Sequence, residues 1–445
     1  MGIHFRKYSA TFLLSSACYL LLAYFINRNE SALLLGSICI LFVAYFIILK
    51  NHKKLNFNVL FIFGLIFRLL FIFSTPTLSD DFYRFIWDGN LLAHGINPFR
   101  FLPMEILKNG LIENSYANQY LLQQMNSPGY YSVYPPMMQF VFFIGSKLSF
   151  GSQMIAIILM RIIIVAAEIG TFFYLKKLLV LLQLNPMKTF IYWLNPLVII
   201  ELTGNIHFEG IMVFFVVAAF YYLLQNKLEW SALFFALAVS TKMIPLILLP
   251  IIVNKLGIKK GLIYATIATV ATGILFSGFI DIQLIKNISN SIELYFQTFE
   301  FNASVYYLLR FIGYQFYGYN LIGTIGKILP FISLIIILYI SFKKKYCENN
   351  KEKLFAESIS ILFVYYLSAL IVHPWYITFL LVFSIFANHT FVIVWSGLVF
   401  LTYTSYSTIP YHENMYCIFL EYAIVLAIYF LNTRGKLLQS EIFKF

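Results

Sequence analysis

The stretch SDDFYRFIWDG places Asp80, Asp81, Arg84 and Asp88 within nine residues. A carboxylate beside a hydroxyl accepts its proton as the oxygen becomes a nucleophile, so Asp80 and Asp81 are candidate general bases. On a helix, Arg84 lies three residues from Asp81 and four from both Asp80 and Asp88, so an ion-pair ladder also accounts for the charges. Ser79 reads as the N-cap, which puts both aspartates in a first turn where the helix dipole favours them. With Asp81 on the face of Arg84 and Asp88, Asp80 is left beside Tyr83 and Trp87 to face the chemistry, so Asp80 is preferred. The trailing HGINPF, with His94 and Asn97, reads as the turn that closes a shaped site.

Further groups stand apart from this stretch. GNIHFEG carries His207 and Glu209, an acid and an imidazole at the end of an apolar run, suited to sugar hydroxyls or to assisting a base. Lys242, in STKMIP, interrupts an apolar run, and an ionisable residue at membrane depth is costly enough to suggest function. Arg310 in FNASVYYLLRF and His373 in VHPWY are candidate phosphate partners. Trp375 and Tyr376 also suit an interfacial aromatic belt. Arg161 and Glu168 share a helix face seven residues apart and read as a pair within the bundle, with Arg68 a similar structural charge.

These groups must be positioned by a membrane-embedded scaffold. The 445 residues are 61% hydrophobic and 11% charged, with a mean hydropathy of +0.81, far from the roughly 25% charged residues of soluble domains. Apolar runs of membrane-crossing length recur along the chain. A soluble core and a transmembrane β-barrel, whose strands would alternate polar and apolar, are both excluded. The net charge of +12 comes from Lys and Arg at the ends of apolar runs, which reads as topology and not as a nucleic-acid surface. Cys18, Cys39 and Cys417 fall in apolar runs and Cys347 in a basic loop, so no disulfide framework is expected.

With the clusters Arg6/Lys7, Lys50/Lys53/Lys54, Lys176/Lys177, Lys227, Lys255/Lys259/Lys260, Lys343 to Lys345 and Arg434/Lys436 all inside, both termini are cytoplasmic. Spans are then expected near 8–27, 31–50 and 57–75, leaving 76–134 as an extracytoplasmic loop. A short half-membrane helix follows, its apolar part too brief to cross, and a span near 153–176 returns. Residues 188–203 go out, 204–210 turn, and 211–225 come back. Ser240-Thr241-Lys242 breaks the next run into two half-helices, which is tolerated only where buried or lining a cavity. Residues 261–280 lead to a second outer loop at 281–320, and spans near 321–342, 355–372, 374–388, 391–408 and 414–432 complete the bundle. The fold class is an all-α polytopic membrane protein. Residues 1–56 form two N-terminal helices, and 57–445 form the catalytic bundle.

The motifs SDDFYRFIWDGNLLAHGINPF, YPPMMQ (opened by Tyr134), NPLVIIELTGNIHFEG, STKMIPLILLP and VHPWY, in this order, resemble bacterial members of the GT-C superfamily of integral-membrane glycosyltransferases. The likeness is to the polyprenol-phosphate-mannose-dependent mannosyltransferases, and it runs from about residue 57 to residue 410. The actinobacterial lipoglycan α-1,6-mannosyltransferases and the enzyme that adds the first mannose to glycosylphosphatidylinositol are related. The resemblance implies a GT-C bundle of about eleven to fourteen crossing or half-membrane helices. It implies an acidic first-loop motif, mapped onto Asp80 or Asp81, that supplies the catalytic base. It also implies inverting transfer on the outer face of the bacterial inner membrane, from a polyprenyl-phosphate sugar to a glycan, lipid or protein acceptor, usually without a metal. Where relatives often read GHND, this chain has His207, Phe208 and Glu209. The two helices before residue 57 lie outside the pattern and receive no chemistry.

No HExxH or CxxC motif, Gly-rich phosphate loop or nucleophilic Ser elbow is present, so no cofactor is expected. Adjacent Asp80 and Asp81 leave a divalent ion open. The expected reaction is a direct displacement, with Lys242, Arg310 and His373 stabilising the departing lipid phosphate and aromatic rings holding sugar and lipid. A transporter or lipid flippase would also carry many spans, but it predicts inverted repeats with charges at the midplane. A surface-polysaccharide polymerase or ligase would favour arginine-rich outer loops.

Overall fold

A computed structural model describes residues 2–297, 299–343, 351–387, 389–408 and 410–433. Lys344, Lys345, Cys347, Arg434 and Lys436 lie outside the described residues. In chain order the helices are α1 (Gly2–Tyr24), α2 (Ser31–Lys50), α3 (Phe57–Leu69), α4 (Asp81–Ala93), α5 (Pro103–Lys108), α6 (Tyr116–Gln124), α7 (Pro136–Lys147), α8 (Gln153–Leu181) and α9 (Phe190–Trp193). A π-helical turn, Val198–Gly204, precedes α10 (Glu209–Leu224), α11 (Leu228–Thr241), α12 (Leu249–Leu256), α13 (Ile258–Phe276), α14 (Leu284–Gln297), α15 (Val305–Tyr317) and α16 (Ile322–Phe342). The remainder are α17 (Lys351–Ser368), α18 (Ile377–Ala387), α19 (Thr390–Leu398) and α20 (Met415–Thr433). Among the described residues the only β pairing is an isolated parallel bridge between Phe301 and Ile371.

Among the described residues six helical segments are long and apolar enough to cross a bilayer, with a seventh if the bent pair Val198–Gly204 and Glu209–Leu224 is one span. Five shorter apolar helices accompany them. The protein is an all-α polytopic membrane protein. Faces turned away from the core stay apolar, as at Leu262 and Phe331, 60% and 64% exposed, where hydrocarbon takes the place of water.

The segments that carry the site are shaped by identifiable residues. α7 begins on Pro135 and Pro136, whose fixed backbone suits a first turn. Its 12 residues rise only about 18 Å, short of the roughly 30 Å of hydrocarbon, as its sequence predicts. α4 packs along α7, and the approach is tight at Gly89, where an added Cβ would lie 2.2 Å from the Phe142 carbonyl oxygen. α11 stops at Thr241 and Lys242 is extended (φ −155°, ψ 136°). Pro245 and Pro250, each lacking a backbone N–H, then start the next two short helical pieces. The expected outer loop 281–320 is largely helical, holding α14 and α15, and the loop 76–134 holds α4, α5 and α6.

Buried charge holds α3, α8 and the π-helical turn together. Arg68 forks onto Glu168 at 3.1 and 3.0 Å and lies 3.8 Å over the Trp193 ring. The expected Arg161/Glu168 pair does not form. Arg161 instead donates to four carbonyls, Ile72, Ser74, Thr203 and Gly204, at 2.8–2.9 Å. The last two are among the carbonyls a helix terminus leaves without partners, so Arg161 caps the π-helical turn.

Candidate active site

The α4 end is organised differently from the ladder that the spacing suggests. Asp80, not Ser79, is the N-cap, while Ser79 Oγ accepts the Asp81 N–H at 3.3 Å. Arg84 pairs with Asp88 at 2.8 Å and donates to the Ser127 and Tyr130 carbonyls, both at 3.0 Å. Ser132 and Gln139 complete the Asp88 carboxylate at 2.6 and 3.0 Å. This pair is buried and fixes the 127–132 segment to α4. Asp81 stands outside it and accepts from Asn126 Nδ2 at 2.9 Å. Asp80 Oδ2 lies 2.6 Å from Arg28 Nη2, in the α1–α2 connection. The residues before position 57 therefore reach the candidate base. Tyr83 is half-buried, and burial pushes its phenol well above the ordinary value.

Two residues before Asp80, the Leu78 N–H donates to Asn205 Oδ1 at 3.1 Å, joining the acidic stretch to residues 204–209. That turn is not a surface feature, as its position between two spans suggested: His207 and Glu209 are 2% and 3% exposed. Ile206, β-branched, adopts φ 58°, a left-handed conformation that costs energy and marks sites where surrounding structure over-determines the backbone. His207 Nδ1 donates toward the Glu201 carbonyl at 2.9 Å and lies 3.3 Å from its carboxylate. Its Nε2 is buried without a partner among the described residues. Glu201 also accepts from the Tyr403 hydroxyl at 2.7 Å.

Stacked rings continue the wall. His207 lies on Trp375 at 3.6 Å, and Trp375 on His373 at 4.4 Å. Lys242 sits 4.4 Å over the Tyr376 ring and is paired with Glu209. The helix break is present as expected, but the Lys242 side chain is 32% exposed and its charge is already met. His373 is not the cation expected for a phosphate. Removal from water, reinforced by the Lys242 charge, holds its imidazole down at about 3, so it is neutral near pH 7 and can give a single N–H.

Other expected residues stand elsewhere. His94 is exposed at the far end of α4, its Nδ1 on the Asn90 carbonyl at 2.8 Å. Thirteen residues of helix, about 20 Å, separate it from Asp80. Asn97 donates to the Phe279 carbonyl at 3.0 Å. HGINPF therefore joins the first loop to the α13 end and does not close over Asp80. Trp87 is wholly buried, its Nε1 without a partner among the described residues, and so does not face a substrate beside Asp80. Tyr134 packs edge-on against Phe85 at 5.2 Å and Phe142 at 5.5 Å. Arg310 is paired with Glu300 and lies 4.3 Å over Tyr307.

Sequence reading missed Arg28, Glu201 and Tyr403. Glu201 had a usable signal, a carboxylate inside the apolar VIIELTG, where a charge is expensive. Arg28 and Tyr403 had none, since their partners are distant in the chain. Among the described residues no group of three His, Cys, Asp or Glu side chains is placed to hold a metal ion.

A helical membrane bundle that gathers carboxylates, cations and stacked rings on one wall has the parts an integral-membrane glycosyltransferase needs. Residues 14–256 match the family described as alpha-(1->6)-mannopyranosyltransferase, N-terminal domain. The chain belongs to this family, and it is a membrane-embedded mannosyltransferase that requires a sugar donor, an acceptor and a bilayer. The match starts within α1, so it takes in the second half of α1, Arg28 and all of α2, and it ends after Lys242. No curated protein matches the chain.

Proposed function

We propose that the protein transfers mannose from a polyprenyl-phosphate donor to the 6-hydroxyl of a mannose-bearing acceptor, with inversion, on the extracytoplasmic face. An α product formed by inversion requires a β-linked donor. Asp80 takes the acceptor proton while the acceptor oxygen bonds to C1. The bond from C1 to the phosphate oxygen breaks, and its electron pair leaves on polyprenyl phosphate. Lys242 turns from Glu209 to the developing phosphate charge. The unpartnered His207 Nε2, fixed from behind by Glu201, accepts a hydrogen bond from a sugar hydroxyl. Trp375 and Tyr376 pack against sugar and lipid.

The observation that carries this reading is the tie from Leu78 to Asn205, which brings the Asp80 segment onto the same wall as His207, Glu209 and Lys242. The extracytoplasmic face rests on the basic residues Lys50, Lys53 and Lys54 at the opposite end of α2 from Arg28. The test is incubation of purified protein in detergent with radiolabelled polyprenyl-phosphate mannose, glucose or arabinose and a cell-lipid and glycan acceptor extract. Label from the mannose donor should appear in an α-1,6 linkage. Absence of transfer from every donor, with accelerated lipid movement across reconstituted vesicles, overturns the proposal.

A further inference from the structure

Arg28 lies between α1 and α2, in a segment the chemistry so far leaves unused. The neighbouring acid, Glu30, accepts the Asn27 backbone N–H at 2.8 Å and is not the ion-pair partner of Arg28. Arg28 instead meets Asp80 Oδ2 at 2.6 Å and covers the Tyr406 ring at 5.1 Å. The two side chains of the pair are 33% and 35% exposed, and pairs so open to water contribute only about 0–1 kcal/mol to stability. As a staple for the fold the contact is weak. As a means of orienting a carboxylate it is well placed: Oδ2 is held, while Oδ1 carries no hydrogen bond among the described residues. A carboxylate rotates in a broad, two-fold well, and one fixed oxygen removes that freedom.

We propose that Arg28 is a positioning residue for mannosyl transfer, holding Oδ2 of Asp80 so that Oδ1 receives the acceptor proton. The inference rests on Asp80 being the base. The guanidinium keeps its charge throughout and exchanges no proton. The proton passes from acceptor oxygen to Oδ1 as the new C1–O bond forms and the phosphate departs with the electron pair of the old one. In consequence the N-terminal helix pair is part of the catalytic unit, because its connecting loop sets the geometry of the base.

The test uses the full-length protein with radiolabelled polyprenyl-phosphate mannose and the acceptor extract, comparing Arg28→Gln, Arg28→Lys, Asp80→Asn and the double variant Arg28→Gln/Asp80→Asn. Misplacing a catalytic group by about 1 Å costs on the order of 10²-fold. Arg28→Gln should therefore lower kcat by about 10- to 100-fold, leaving the donor KM and the melting temperature unchanged. Arg28→Lys should recover part of the loss. The double variant should be no slower than Asp80→Asn alone, since a residue acting through another adds nothing once that other is gone. Full kcat in Arg28→Gln, a loss confined to KM, or a double variant slower than Asp80→Asn by the whole Arg28→Gln factor each overturns the inference, provided Asp80→Asn itself shows the large loss expected of a base. Near-normal transfer by Asp80→Asn would show instead that the underlying assignment of the base is wrong.

Discussion

Two regions of the molecule use the same kinds of charge to opposite ends. Between α3, α8 and the π-helical turn, Arg68, Glu168 and Arg161 are wholly buried and spend their hydrogen-bonding capacity on the protein itself. On the site wall, Arg28–Asp80 and Lys242–Glu209 are partly open, and His207 Nε2 has no partner among the described residues. A buried pair is costly to break because the survivor is left uncompensated in a low dielectric. A pair about one-third exposed on both sides, such as Arg28–Asp80, exchanges partners at little cost. Saturated charge therefore holds the helices, and unsaturated charge is available to a substrate.

Breaking the saturated region should show the largest loss of stability. Glu168→Ala strands the Arg68 guanidinium and should cost about 3–5 kcal/mol, read as a lowered denaturation midpoint in detergent. Removing Asp80 should leave that midpoint unchanged. Gly89→Ala drives a methyl group against the Phe142 carbonyl and should cost about 1–3 kcal/mol, with transfer reduced because α4 is displaced from α7. An intermediate effect is expected at Lys242. Lys242→Gln leaves Glu209 without its cation and should slow transfer, with a smaller loss of stability than Glu168→Ala.

A further effect appears only in acid. His373 resists protonation when folded, down to about 3, whereas an unfolded histidine protonates near about 6.5. The unfolded chain thus binds more protons below that pH, so stability is fully present above it and declines as pH falls toward 3. A His373→Asn variant should flatten the fall in melting temperature between neutral and acid pH. An unchanged slope would mean that His373 is already charged in the folded protein.

Much of the architecture was legible because its signals are local. Apolar length marks the long helices, the brevity of the run after YPPMMQ marks α7, and Ser240-Thr241-Lys242 marks the break after α11. The π-helical turn was not legible, since VIIELTG reads as the continuation of a span. The site was legible in its residue types but less so in its pairings. Spacing offered Arg84 as a partner for Asp81, and the folded chain supplied Asn126 from 45 positions away. It likewise supplied Arg28 to Asp80 from a segment that carries no motif, and Tyr403 to Glu201 from 202 positions away. Helical periodicity sees three or four residues ahead. Contacts between separate helices depend on the packed bundle.

The most direct test of this division between holding and reacting charges is mannose transfer per folded molecule in Asp80→Asn beside Asp81→Asn. A general base contributes about 10²- to 10⁴-fold. Asp80→Asn should therefore lose transfer by about that factor while still binding donor and melting normally. Asp81→Asn, which disturbs only the contact with Asn126, should keep most of its turnover. An active Asp80→Asn beside an inactive Asp81→Asn would contradict the account.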